Sequence, residues 1–328
     1  MDRRTFIGAV AAGMIAAPLA ESAKTPTTVR RIGILLPGAP PTPAELQEEY
    51  AHYAPLRALG WVEGRNLLVE RRYAERDELL RPLAEELVRL KVEIIVTDGT
   101  TATLAAKNAT TTVPIVMYTS GDPVATGLVA SLARPGGNIT GFSLAGPEIN
   151  AKKLALLREL LPGLQRVGVL ENSNNPYYRA VRKGFEHTCR SVGIQPVFVE
   201  VAAAGEMESA IAEMARRGAQ AVFVNRDSLF YENRVLLMSA AVKHALPTIA
   251  AFKDMLEGGA LLSYGNAIAE QDQRQAAFID RILRGAKPAD LPIEQPTKFE
   301  LGINLKTAKA LGIKIPSSLL LQANEVIQ

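Results

Sequence analysis

Short apolar runs alternate with amphipathic stretches along most of the chain. Residues 31–36, RIGILL, are β-branched at Ile32 and Ile34 and end at Pro37-Gly38, the pattern of a buried strand. Leu46, Tyr50, Tyr53 and Leu56 recur at helical spacing, and Pro55 should kink or shorten that helix. Residues 67–73 read as a second strand. Leu79-Leu80, Leu83-Ala84 and Leu87-Val88 then form an i, i+4, i+8 stripe, with Pro82 tolerated in the first turn. A third strand, 93–97, runs into Asp98-Gly99-Thr100-Thr101 and a helix over 101–110. A fourth, 114–118, ends in Thr119-Ser120-Gly121-Asp122-Pro123. The spacing predicts a helix over 124–132 and a fifth strand over 139–142. Such alternation implies right-handed crossovers and a parallel sheet.

A second series follows. Ala151, Leu154, Leu157 and Leu161 mark a helix, 166–170 a strand, and a helix then runs to 192. Strand 196–201, a helical stripe at Met207, Ala210, Ile211 and Met214, strand 221–224 and a helix over 232–244 come next. Strands are expected at 247–250 and 260–263, the latter ending in Tyr264-Gly265. A helix over 268–284 turns Ala276, Ile279 and Leu283 inward. A strand over 299–304 and short helices from 307 and over 316–323 complete the chain. The halves repeat one architecture without repeating a sequence, which predicts two α/β lobes side by side.

The N-terminus differs. Asp2-Arg3-Arg4-Thr5-Phe6-Ile7 precedes an uncharged, mostly apolar run to Ala20. That is an export signal over 1–23, too short for a membrane span, with cleavage expected near Ser22 or Ala23. The paired arginines resemble a twin-arginine (Tat) signal. The mature chain is therefore expected in the periplasm.

Composition narrows the chemistry. The 328 residues carry 37 Lys plus Arg against 34 Asp plus Glu, and 5% aromatics, which gives no footprint for nucleic acid. One cysteine, Cys189, excludes an internal disulfide and reads as a small buried hydrophobe. His52, His187 and His244 show no metal-ligand spacing. There is no GxGxxG after a strand, no GxxxxGK[ST], no GxSxG and no HExxH. No metal or cofactor is expected, and no catalytic residue stands out.

Candidate binding residues cluster just past the strand ends, where open α/β sheets place ligands. In the first lobe these are Gly99, Thr100, Thr101, Ala102, Thr119 and Ser120; in the second, Asn172, Asn174, Asp227 and Tyr264. The helix start after Asp98 offers free N–H groups to a carboxylate, and Asp227 could complement an ammonium. Every such Thr, Ser, Asn or Asp also fits plain helix capping or turn formation. For Asn175 before Pro176 and Asp122 before Pro123, the turn role is favoured.

Over nearly its whole mature length the chain resembles bacterial ABC-transporter substrate-binding proteins of the tryptophan-binding, TrpX-like group. The matching segments are RRIGILLP ending at Pro37, LGWVEGRNLLVE (59–70), DGTTATLAAKNATTTVPIVM (98–117), GDPVATGLVASLARPGGNITGFS (121–143), LLSYG (261–265) and the run 280–316. The resemblance implies a type I periplasmic-binding-protein fold, with two doubly wound parallel-sheet lobes, a hinge and an interlobe cleft. It implies three crossings, near Ser143, Tyr264 and Ile293. Lobe 1 would be 29–143 plus 265–292, and lobe 2 144–264 plus 293–328. By the same analogy Thr100, Thr101 and Ala102 match the first-lobe turn that holds an α-carboxylate, with Asn172, Asn174 and Asp227 opposite. The Pro-rich loop after strand one, 38–43, departs from that pattern beside the cleft.

The expectation is a non-enzymatic receptor, monomeric, that captures a small ligand such as an amino acid or other carboxylate and delivers it to an inner-membrane ABC permease. A periplasmic sensor for a membrane kinase and an exported α/β enzyme are the alternatives.

Overall fold

A computed structural model describes residues 29–328 apart from 145. The expected export signal and the linker after it lie outside the described residues.

The first unit runs β1 (Arg30–Pro37), α1 (Pro43–His52), α2 (Ala54–Ala58), β2 (Leu67–Ala74), α3 (Leu80–Arg89), β3 (Ile94–Asp98), α4 (Gly99–Ala109), β4 (Ile115–Thr119) and β5 (Ile139–Gly141). Its five strands lie in the order β2-β1-β3-β4-β5, and every pair is parallel. Both faces of this sheet are covered, so its inner strands β1, β3 and β4 are largely apolar runs, while the edge strand β2 carries Glu70, Arg71 and Arg72. On one face Leu35, Ile95 and Met117 meet Ala84 and Leu87 of α3 and Ala102 and Ala106 of α4.

The second unit holds α5 (Pro147–Leu160), β6 (Arg166–Asn172), α6 (Pro176–Ser191), β7 (Gln195–Val201), α7 (Met207–Arg216), β8 (Ala221–Val224), α8 (Ser228–Glu232), α9 (Arg234–Lys243), β9 (Thr248–Ala250) and β10 (Leu262–Asn266). The chain then forms α10 (Ile268–Leu283), β11 (Phe299–Asn304), α11 (Leu305–Ala310), α12 (Ser317–Gln322) and β12 (Glu325–Ile327). The second sheet has seven strands in the order β12-β11-β10-β9-β8-β6-β7.

Helix α10 belongs with the other sheet. Its Ala276, Phe278 and Ile279 pack against Ile32, Ile34, Ile94 and Val96 on the free face of the first sheet. The chain therefore passes between the units after β5, after β10 and before β11. Two of these passages are bonded side by side: the Ser143 N–H donates to the Glu294 carbonyl at 2.9 Å and the Glu294 N–H to that of Gly141 at 3.0 Å.

The expected two-lobed α/β architecture is present, with local differences. The second sheet is not wholly parallel, because β11 pairs antiparallel with β10 and carries β12 with it. No helix forms over 124–132. Instead Asp122 Oδ1 accepts from the N–H groups of Val124 and Ala125, and Gly127 sits at φ 70°, so the chain turns rather than propagates. The helix expected over 232–244 breaks at Asn233, whose side-chain amide donates to the Leu229 carbonyl at 2.9 Å. Strand β10 continues through Tyr264 to Asn266. Cys189 is fully buried, and burial pushes its thiol up to about 12, which keeps it a packing residue.

Candidate functional site

The C-terminal ends of both sheets face a cavity of about 320 Å³. That is room for a small organic molecule. The first lobe contributes the β3–α4 turn and the residues ending β4. The second contributes the residues after β8 and β9, the face of α5 and the end of β10.

Helix α4 opens directly onto the cavity. Asp98 occupies its N-cap position, yet its side chain makes no capping bond. That carboxylate is engaged elsewhere. Thr119 Oγ1 donates to Oδ1, and Arg226 Nη2 of the second lobe reaches Oδ2 at 3.4 Å. The first-turn N–H groups of α4 thus keep their donors and their positive dipole character for whatever occupies the cavity. Gly99, Thr100 and Thr101 line the cavity there. Thr100 is fixed by Ser120, hydroxyl to hydroxyl at 3.3 Å, and by the Gly121 N–H, which donates to it at 3.2 Å.

Across the cleft, Asp227 is 4% exposed and lines the wall. It caps α8 by accepting from the Leu229 N–H at 2.9 Å. Asn172 and Asn175 donate their amides to its two oxygens at 3.0 and 2.9 Å. Burial raises its pKa, against those amides and that N–H, which lower it.

Aromatic rings supply part of the remaining wall. Six of the chain's eight tyrosines line this one cavity: Tyr53, Tyr73, Tyr118, Tyr177, Tyr231 and Tyr264. Tyr118 donates its hydroxyl to Asp272 at 2.7 Å, and burial holds its pKa well above the usual phenol value. His52 pairs with the other Asp272 oxygen at 3.0 Å, a bond that raises the imidazole pKa. Tyr264 stacks on Phe299 at 5.8 Å. The Arg226 guanidinium lies 4.1 Å from the Phe252 ring centroid and 5.9 Å from that of Tyr118 in the facing lobe. Tyr177 also crosses the cleft: a Cβ on Gly121 would fall 2.1 Å from its ring, so only glycine permits that approach.

Of the ten residues expected from the sequence, Gly99, Thr100, Thr101, Thr119, Asp227 and Tyr264 line the cavity. Ser120 and Asn172 stand behind the wall and hold Thr100 and Asp227. Ala102 does not reach it, because it turns with α4 into the sheet core. Asn174 is exposed, its amide directed to the Ala202 carbonyl at 3.3 Å, while the next residue, Asn175, faces the cavity. Sequence reasoning gave Asn175 only its turn role; it both caps α6 through the Tyr177 N–H and lines the wall. It placed Arg226 just past a strand end without giving it a role, and missed five of the six tyrosines, Phe252 and Lys153 as cavity residues.

Among the described residues, no group of three or more His, Cys, Asp or Glu could hold a metal ion. No helix among them is long and apolar enough to cross a membrane.

Known proteins are similar to this chain in sequence and fold. A tyrosine-binding protein of Clostridioides difficile (strain R20291) is 26% identical over 257 residues, covering 78% of this chain and 73% of its own. An ABC domain from Streptococcus pneumonia, solved with L-Trp, superposes with a TM-score of 0.83 at 24% identity, over 92% of this chain and 100% of that one. The ligand-free, open structure of CD0873, a substrate-binding protein with adhesive properties from Clostridium difficile, gives 0.65 at 24% identity, with the same coverage of 92% and 100%. The leucine-binding protein LivK of Thermotoga maritima gives 0.56 at 16% identity, over 79% of this chain and 77% of that one, which places the fold among type I periplasmic binding proteins. The family model for ABC transporter substrate binding proteins matches residues 52–327, and the chain belongs to that family.

Proposed function

We propose that this protein is an exported receptor that closes on an amino acid with an aromatic side chain and delivers it to an ABC permease in the inner membrane. The observation that carries the reading is the open start of α4 facing buried Asp227 across a tyrosine-lined cavity. The ligand carboxylate takes the N–H groups of Gly99, Thr100 and Thr101. Its ammonium faces Asp227, and its ring packs among Tyr118, Tyr177, Tyr231 and Tyr264. Thr119 borders the carboxylate, and Ser120 and Asn172 act through Thr100 and Asp227. No proton or group transfer occurs; the ligand leaves unchanged.

The lobes hinge at the three passages, near Ser143, after β10 and near Ile293. The bonded pair Ser143 and Glu294 supports a shared hinge there. The better superposition on the L-Trp-bound ABC domain than on the open, ligand-free CD0873 supports a closed arrangement. Export rests on the twin-arginine-like N-terminus, which puts the mature protein, a monomer, in the periplasm. Family membership and the relative's name support transport of an amino acid.

Native mass spectrometry of gently purified protein, followed by thermal shift with tyrosine, tryptophan, phenylalanine, benzoate and leucine, tests the reading. A stabilising shift with aromatic amino acids is expected. No shift with any amino or aromatic acid sinks it.

A further inference from the structure

Helix α5 turns Ile149, Asn150 and Lys153 onto the cavity, at the i, i+1, i+4 spacing of one helix face. Lys153 is only 3% exposed. Its ammonium lies 5.1 Å from the ring centroid of fully buried Phe223. No hydrogen bond or ion pair reaches it from any described residue.

The other cations of the cavity are matched. Arg226 has Asp98, His52 has Asp272, and Arg234 donates to the Tyr231 carbonyl at 3.1 Å. Lys153 has a ring face and three unused donors. Burial lowers its pKa to about 7, and no neighbouring carboxylate opposes that shift. A buried ammonium without an acceptor works against folding, and methionine would fill the same space at no such cost. An anion arriving with the ligand is the partner that makes the lysine useful.

Resting on the receptor reading above, we infer that Lys153 is a second anion-recognising position, so that the preferred ligand carries two acidic groups. One carboxylate lies against the start of α4 in the first lobe. The other meets Lys153 on the first helix of the second. An apolar or aromatic spacer between them suits the tyrosine-lined wall. The chemical class is thus an aromatic acid or aromatic amino acid whose ring carries a second carboxylate, bound more tightly than the plain aromatic amino acids that the receptor also accepts.

The test is isothermal titration of wild-type protein, Lys153→Met and Lys153→Gln with matched acids: benzoate against terephthalate, and phenylalanine against its para-carboxylated analogue. A charge-assisted bond in a dry site predicts a wild-type preference for each diacid of about ten- to hundredfold. In Lys153→Met the diacid-to-monoacid ratio should fall to about one, with a melting temperature equal to or above wild type. Lys153→Gln, which keeps a donor but no charge, should fall between. Monoacid binding by wild type with no gain for the diacid overturns the inference alone. An unchanged ratio in well-folded Lys153→Met does the same. Failure of every acid to bind wild type overturns the receptor reading and the inference with it.

Discussion

The two lobes end their strands in the same way and begin their helices differently. In the first, Asp98 stands at the start of α4 but turns its carboxylate to Thr119 and Arg226, leaving the helix start open. In the second, Asn175 and Asp227 stand at equivalent places and close the starts of α6 and α8 with their own side chains. Two aspartates after two parallel strands thus do opposite things. What separates them is the set of competing donors: a hydroxyl and a guanidinium hold Asp98, whereas two amides hold Asp227 in its capping position. The outcome is a cleft with free N–H groups on one wall and a carboxylate on the other. That polarity suits a zwitterion in one orientation only.

The strongest way to break the comparison is to stop the walls from meeting. Gly121 lies under Tyr177, and a Cβ there would enter the ring. Gly121→Val should keep each lobe folded but block closure, lowering ligand affinity by about a hundredfold or more in isothermal titration. Retention of wild-type affinity would show that the Tyr177 contact is unrelated to binding.

Next comes a direct contrast of the two aspartates by chemical denaturation. Asp227→Ala uncaps α8 and orphans two buried amides, and should cost about 2–4 kcal/mol. Asp98→Ala removes no cap and should cost about 1 kcal/mol or less. Equal losses would erase the distinction between an open and a closed helix start. Asp227→Asn keeps a capping oxygen but sets its amide against that of Asn175, so it should cost less stability than Asp227→Ala, and a loss of ligand affinity as large as in Asp227→Ala assigns the contact to the ligand ammonium.

Asp227 also acts on a like charge outside the cavity lining. Asp77, in the turn before α3, has its carboxyl raised from 3.8 to about 6 by burial, helped by the charge on Asp227. Between those values the folded chain holds this proton more tightly than the unfolded chain does. Stability should therefore fall as pH rises from about 4 to about 6. Asp77→Asn should flatten that slope and raise stability at pH 7 by about 1 kcal/mol once solvent screening is allowed for. Melting curves at pH 4.5 and 7 check it; an unchanged difference between the two pH values rules out Asp77 as the source.

Much of the fold was legible because strands buried on both faces must be apolar throughout. RIGILL, IIVT and RVGVL could hardly be anything else. The helix over 124–132 misled because Val124, Leu128 and Leu132 keep helical spacing while Asp122 and Gly127 impose turns. The site was legible where it sits on strand ends, as at Gly99–Thr101 and Asp227. It was not legible at the tyrosines, which come from separate elements and meet only once the lobes form. A one-residue difference decides between exposed Asn174 and buried Asn175, finer than any turn pattern resolves. Lys153 follows Lys152 in what reads as a solvated face; only packing shows that one of the pair is buried.

The smallest expected effect sharpens the comparison most. Arg226 and Asp98 join the lobes across 3.4 Å, with side chains 16% and 29% exposed, a range in which an ion pair contributes about 1 kcal/mol or less. Arg226→Met keeps packing against Phe252 but releases one oxygen of Asp98. The freed carboxylate can then turn back and cap α4, making the first lobe resemble the second. Stability should change by no more than about 0.5 kcal/mol, because a cap replaces an ion pair of similar strength. Carboxylate ligands should nonetheless bind about three- to tenfold more weakly, since the N–H groups they need are now occupied by a competing anion. Double substitution with Asp98→Ala removes the competitor and should restore the affinity. If Arg226→Met alone leaves affinity intact, the open start of α4 does not depend on the interlobe pair, and Asp98 is held off the helix by Thr119 alone.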